Sequence, residues 1–466
     1  MKKKQLRWTL WTIASPFILF IILCILIYLP PIQNFLVDKA AVYASEATGM
    51  NISVGRISLS FPLNLVVTDV DAASPHKDTL LSVRRLQVNV QLLPLLKKQV
   101  EVDGISLQGA TVNSNDLIHG MRLNGTLGEL FISSHGVALD PETAIVNKVL
   151  LKDTDLSLCL NDTAAADTAA SDTTYWKIIL QDIDLQNVSF ALDMPLDSLS
   201  LAASLDNATL RDGLIDLHKS AYSLQTFRIK NGRVRYDSGR PSATASADSL
   251  SAGLDPSHIA LTDIGVKLDS LYYEGRNMKA IISQFVLKER SGVEIVSTEG
   301  RLVSNDKVLR VPSLKLETRD SYLELNAAMD WDALDFKKEG LVSARLMADI
   351  GKPDVVRFMG SMDEKFIRKY PSEPLRIRTG IDGDLNKLKL TTLTAELPGA
   401  LELFAKGELT SLTDSLLRGG DITLQAETKD LKFISTLAEG IEIPYGTRLE
   451  GKFTMAGPKI DRKSVV

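Results

Sequence analysis

Cysteine is almost missing from this sequence. Cys24 and Cys159 are the only two in 466 residues, too few for a disulfide framework. Histidine is equally sparse. His76, His119, His135, His218 and His258 have no second histidine, cysteine or carboxylate at a metal-ligand spacing such as H-E-x-x-H. There is no G-x-S-x-G elbow, no G-x-x-x-x-G-K-[ST] phosphate loop and no G-x-G-x-x-G after a strand. An excess of basic charge is lacking too: the net charge is −5. Setting aside Lys2, Lys3, Lys4 and Arg7 leaves 49 basic against 58 acidic residues, or −9. Nucleic acid is thereby excluded as a partner, since binding it needs a basic footprint. The carboxylates fall at alternate positions and beside turns, where solvated groups belong; Asp71, Asp103 and Asp382 read as turn formers. The chain is expected not to be an enzyme and to have no catalytic, metal or cofactor-binding residue.

What is present begins with an apolar run. Leu10 to Leu29, LWTIASPFILFIILCILIYL, is twenty residues without a charge. At about 1.5 Å per residue it spans roughly 30 Å, the hydrocarbon thickness of a bilayer. Lys2, Lys3, Lys4 and Arg7 precede it, and Pro30-Pro31 follow. No small-residue cleavage site follows Leu29, and Leu23 rather than a small residue precedes Cys24. The run therefore reads as an uncleaved single-pass anchor, with Leu10, Trp11, Phe17, Phe20 and Leu29 among its membrane residues. The charge bias places the N-terminus in the cytoplasm and the bulk of the chain outside. A long exported chain without disulfides fits a bacterial envelope.

Residues Pro31 to Thr48 read as a helix, with Ile32, Phe35, Leu36, Lys39 and Tyr43 at three- and four-residue steps and Gly49 as its C-cap. Its apolar face is expected to cover the end of the following sheet. From Met50 the period becomes two. Ile52 and Val54 alternate; Gly55 intervenes; Ile57, Leu59 and Phe61 resume on the opposite parity. The shift recurs after Val83 at Arg84-Arg85, after Val102 at Asp103-Gly104, and at Gln108-Gly109. A tight turn or a bulge does this to an alternating strand. Leu92 to Lys98 reads as a leucine-rich crossing between strands. The alternation persists through Ile183, Leu185, Val188 and Phe190 to Leu388, Leu390, Leu393 and Leu397, so about 25 mostly short strands are expected, with turn signals roughly every ten residues. A loose G-x-L signature recurs at Gly125, Gly300, Gly383 and Gly407, with a weaker echo at Gly451, and marks an imperfect repeat.

Two stretches break the pattern. Asn161 to Thr174, NDTAAADTAASDTT, has no large apolar residue and is expected to be a disordered, dispensable loop. Lys352 to Tyr370 is expected to contain a helix ended by Pro371 and Pro374. The expected organisation is a cytoplasmic N-terminus (1–9), an anchor (10–29), a helix and β module (30–113), β repeats (114–160), the loop (161–174), β repeats (175–351), a helical interruption (352–374) and further β repeats (375–466). The last of these stop without a cap, as in a fragment of a longer array.

Three stretches resemble the AsmA-like superfamily, and within it the TamB type, the inner-membrane component of the translocation and assembly module. They are ATGMNISVGRISLSFPLNLVVTDV after the anchor, LLSVRRLQVNVQLLPLLKKQVEVDGISLQGATVN, and TGIDGDLNKLKLTTLTAELPGALELFAKGELTSL. Their motifs are hydrophobic spacings, and their order carries the resemblance. The stretches that carry the resemblance do not include the C-terminal TamB domain. The resemblance implies a mainly β fold: a long, curved, repetitive antiparallel sheet forming an open apolar groove, similar to bridge-like lipid transfer proteins. It also implies a periplasmic conduit for phospholipids between inner and outer membrane. A different class is a scaffold for assembly of outer-membrane β-barrel proteins, acting with an outer-membrane insertase of the Omp85 type by strand addition. A passive envelope spacer is a third. The residues expected to line the groove near the membrane are Ile57, Leu59, Leu86, Val88, Val90, Ile105 and Leu107. A β-sandwich packed on its own side chains is the structural alternative, because a one-faced apolar sheet needs cover at about 25 cal/mol per Å².

Overall fold

The computed structural model describes residues 31, 35, 39, 41–43, 45–46, 48–60, 64–74, 79–91, 102–114, 120–138, 142–161, 175–239, 253–335, 338–358, 364–384, 386–412, 418–436, 444–456 and 459–463. The anchor, with Leu10, Trp11, Phe17, Phe20 and Leu29, lies outside them, as does the crossing Leu92 to Lys98. Among the described residues no helix is long and apolar enough to cross a membrane. Pro31, Phe35, Lys39, Ala41 to Tyr43, Ser45, Glu46 and Thr48 are helical. Gly49 ends the helix at φ 69°, its N–H donating to the Ser45 carbonyl at 2.9 Å. Only a residue without a Cβ takes that left-handed turn freely. The expected covering role fails for Phe35 and Tyr43, which are 60% and 75% exposed. A contact between helix and sheet is made by Ser45, whose Oγ accepts the Ile52 N–H at 3.0 Å.

The protein is mainly β, and it divides into two compact units, residues 1–206 and 207–466. The first unit contains β1 (Asn51–Ser60), β2 (Asn64–Ala73), β3 (Thr79–Val90), β4 (Val102–Asn113), β5 (Met121–Ala138), β6 (Thr143–Leu160) and β7 (Lys177–Met194). Each pair from β1–β2 to β5–β6 is antiparallel. β6 and β7 are parallel, which departs from the all-antiparallel expectation. Thr143 lies beside Lys177 and Cys159 beside Asp193. The connection must therefore carry the chain back along the whole of β6, and a parallel pair always demands such a crossover.

β8 (Leu199–Asp216) holds the boundary, and its last residues pair with β9 (Ala221–Leu224). β9 and β10 (Thr226–Ser238) are broken only at Gln225, and both pair with β11 (His258–Glu274). The second unit continues as an antiparallel meander through β12 (Asn277–Glu289), β13 (Glu294–Ser304), β14 (Val308–Thr318), β15 (Tyr322–Asp330), β16 (Val342–Ile350), β17 (Leu375–Gly383), β18 (Lys387–Leu397), β19 (Leu401–Thr410), β20 (Gly419–Thr428), β21 (Arg448–Ala456) and β22 (Lys459–Lys463).

Many strands are longer than the turn signals suggest: β5, β6, β7 and β8 have 18 residues each. The parity changes lie inside strands. Gly55, Asp69, Arg84, Gly109, Gly128, Asp153 and Asn187 form one transverse seam across β1 to β7, each skipped by the ladder between flanking paired residues. Asp69, Gly109, Asp153 and Asn187 there have φ of 56°, 62°, 48° and 51°. Asp, Asn and Gly are the residues that tolerate this region. Every strand spends one residue at the seam, so register survives while the alternation flips on all seven together. Asp71, Asp103 and Asp382 are strand residues, not turn formers. Asp382 accepts the Ser343 hydroxyl at 2.6 Å across the ladder.

Residues 352–374 leave the sheet and return to the same rim, since Ile350 still pairs with Leu375. The excursion contains α1 (Lys352–Phe358) and α2 (Glu364–Lys369). Phe366, just beyond it Tyr370, and Leu431 and Phe433 from the β20–β21 connection bury one another with Leu397 and Ala400; Leu375 and Leu401 pack at the edge. The Tyr370 and Phe433 rings stand 5.2 Å apart, edge to face. Burial raises the pKa of the Tyr370 phenol.

α1 is fixed by a buried carboxylate. Asp354 is fully buried and accepts hydrogen bonds from Thr318 Oγ1 and from Ser321 Oγ, the latter at 2.6 Å. Arg357 Nη1 reaches Asp354 at 3.0 Å and Asp320 at 2.7 Å. Partial burial works against the Arg357 charge, but the bonds and charges of the two aspartates outweigh it and raise its pKa.

Candidate functional site

Residues directly opposite in a ladder share a face, as do i and i+2 within a strand. By that rule the ladders gather the predicted lining residues into two rows. One runs Leu59, Leu65, Val88, Ile105, Ile132, Val149, Ile183. The other runs Ile57, Val67, Leu86, Leu107, Leu130, Leu151, Leu185. Val90 stands apart: it meets Val102 across a register shift. Beyond the seam the apolar chemistry resumes in the row Val54, Val70, Val83, Ala110, Leu127, Thr154, Val188. None of these three rows contains a charged residue.

The opposite face differs. Arg56, Thr68, Arg85, Gln108, Glu129, Lys152 and Gln186 make a wholly polar row, while its neighbour is interrupted by Val66, Phe131 and Leu150. Side chains there bond along the surface: Gln87 Nε2 donates to Asn89 Oδ1 at 3.1 Å, and Arg85 Nη2 to Gln87 Oε1 at 3.2 Å.

Burial separates an apolar face from a core. All seven predicted residues are half-buried, and none is buried. Among the described residues of the first unit, only Ala72, Leu80, Val83 and Ala110 are buried apolar side chains. Contact with ladder neighbours alone gives half-burial; a second packed sheet would cover the same residues fully.

The second unit repeats the arrangement. Leu316, Leu323, Ala348, Ile377, Ala395 and Leu403 make one charge-free row, and Leu314, Leu325, Leu346, Thr379, Leu393 and Ala405 the next. The G-x-L signature belongs to the apolar face of each unit. Gly300 lies opposite Leu314 and Gly125 opposite Leu156, and a Cβ on either would stand 2.8 Å or 2.6 Å from the leucine methyl. Each glycine makes room for its partner's bulk. The outer face carries cross-strand ion pairs, Arg378–Asp349 at 2.7 Å and Lys387–Glu408 at 3.2 Å among them.

The residues singled out in the sequence omit Leu65 and Val67 of β2, Leu130 and Ile132 of β5, and Val149 and Leu151 of β6, which stand in the same apolar rows. Their signal was the same alternation, once the seam residue of each strand is counted as a bulge. Among the described residues no group of three histidine, cysteine or acidic side chains could hold a metal ion. The sequence matches no protein-family model, and no curated protein is similar to it.

Proposed function

We propose that this chain is an inner-membrane-anchored periplasmic protein of the TamB type whose apolar sheet faces form an open groove for phospholipid acyl chains. One observation carries the reading: the rows through Val88 and Leu107 are apolar, free of charge over seven strands, and only half-buried. A soluble protein seldom leaves so large a contiguous apolar surface bare unless something binds there. Acyl chains satisfy such a face without requiring a hydrogen-bond partner, whereas a folded protein partner would have to meet its shape. The resemblance to the AsmA-like superfamily and the uncharged run Leu10 to Leu29 support the placement between inner and outer membrane. In this reading tails move along the face, headgroups stay in water, and the protein contributes to outer-membrane integrity without chemistry of its own.

The test is purification in a mild, lipid-free detergent followed by mass spectrometry of co-purifying lipids. Phospholipid retained by the wild-type chain and lost in a Leu107→Arg variant of normal abundance supports the conduit. A chain that carries no lipid but captures unfolded outer-membrane β-proteins overturns it in favour of the assembly scaffold.

A further inference from the structure

The apolar face of the second unit has two unlike rims. At one, Leu375, Leu397 and Leu401 continue the rows of Ile377, Ala395 and Leu403, and here the face is closed by the chain itself. Phe366 is 2% and Phe433 8% exposed over it. Lys352 Nζ donates to the Tyr370 carbonyl at 2.7 Å, joining the two ends of the helical excursion. Backbone bonds from Lys429 to the Ala400 carbonyl at 2.7 Å and from Asp430 to Gly399 at 3.2 Å fix the second part of the cover.

The other rim, where β15, β17 and β19 end, is built differently among the described residues. Its turns are tied by polar bonds: Trp331 Nε1 donates to the Asn305 carbonyl at 2.8 Å, and Lys387 N–H to Asp384 Oδ1 at 2.8 Å. Leu334 and Leu341 there are 61% and 63% exposed, with no aromatic cover like that at the opposite rim.

The width of bare face between them decides what fits. From Val342 to Ala348, the buried residue that ends the bare stretch, is six residue steps, about 20 Å at roughly 3.3 Å each. A bilayer core of about 30 Å contains two layers of tails, so one layer needs roughly 15 Å. The face accommodates one layer of tails and not two end to end. We infer that the second unit holds phospholipid in a single orientation, with tail ends directed to the rim capped by Phe366 and Phe433 and headgroups at the polar rim of Asp384 and Lys387. This rests on the lipid-groove reading and adds a polarity to it. Two equivalent rims would let lipids enter either way round; over the apolar face the capped rim presents the packed side chains of Phe366, Tyr370 and Phe433, and burying a headgroup among them is costly.

The full chain, reconstituted with phosphatidylethanolamine–phosphatidylglycerol vesicles, is irradiated with either of two diazirine phospholipids, one photoreactive at the acyl terminus and one at the headgroup. Cross-linked peptides are mapped by mass spectrometry. Several-fold preferential labelling of peptides with Tyr370, Ala395 and Leu403 by the acyl probe, and of those with Asp384, Leu388 and Leu409 by the headgroup probe, is expected. Equal labelling of both rims by both probes, or the reverse pattern, overturns the orientation while leaving the groove intact. If neither probe labels the apolar face, the groove reading fails and the orientation with it.

Discussion

Thr143 and Lys177 are partners in a parallel pair, although only the turn-free length of β6 and one connection separate them in sequence. Leu160 and Lys177 therefore stand about a full strand apart, roughly 56 Å at about 3.3 Å per residue over seventeen steps. The sixteen residues 161–176 reach at most about 56–61 Å when extended.

Composition alone marks Asn161 to Thr174 as removable; residues 162–174 lie outside the described residues, and the parallel pairing of the strands they join predicts a cost for shortening them. Excising the segment and joining the flanks by a short glycine-serine link should break the β6–β7 ladder, because antiparallel return is the only topology a short link permits. Hydrogen exchange in β7 should rise sharply. Replacing the segment with glycine and serine at equal length should leave exchange unchanged. Unaltered protection after excision would show that the strands are not parallel.

Charge on the apolar face should harm function more than folding. Val88→Asp or Leu107→Arg removes a half-buried apolar side chain, a loss of about 1 kcal/mol. The introduced charge keeps access to water. A buried position would instead cost several kcal/mol. Protein abundance should stay near normal on a blot while complementation of an outer-membrane permeability defect is lost. Asn89→Asp, on the polar face, should change neither. Disappearance of the Val88→Asp protein would favour a self-packed sandwich.

Asp354→Ala leaves Arg357 and two hydroxyls without their shared acceptor, and breaking a buried pair this way costs about 3–5 kcal/mol. The damage should be local. Limited proteolysis is expected to open residues 352–374 and the β20–β21 connection first, with β1 to β7 retaining their protection. Uniform loss of protection in both units would contradict a role confined to the rim cover.

The seam offers a comparison within a single strand. Asp69 has φ 56°, whereas Asp71, two residues on, is absent from the left-handed residues. Asp69→Val forces a β-branched residue into that region, at about 1–2 kcal/mol. Asp71→Val should be neutral or slightly stabilising, since valine suits an extended strand. Chemical denaturation of the two variants checks the difference. Equal midpoints would remove the strain account of the seam.

Alternation alone marked Ile57, Leu59, Leu86, Val88, Ile105 and Leu107 as one set, because side-chain direction in a strand has period two whatever the strand pairs with. The sequence by itself also determined the Gly49 cap, the mainly β class and the helical break after Lys352, all consequences of local backbone preference. Tertiary structure alone decided the rest. Whether Gly55 or Gln108-Gly109 was a turn or a bulge depended on hydrogen bonds to strands far away in sequence. The parallel sense of β6 and β7 is likewise set by non-local pairing, which a run of alanines and threonines cannot announce. Asp354 reads in sequence as one more solvated acid; Thr318 and Ser321, over thirty residues earlier, make it a buried anchor.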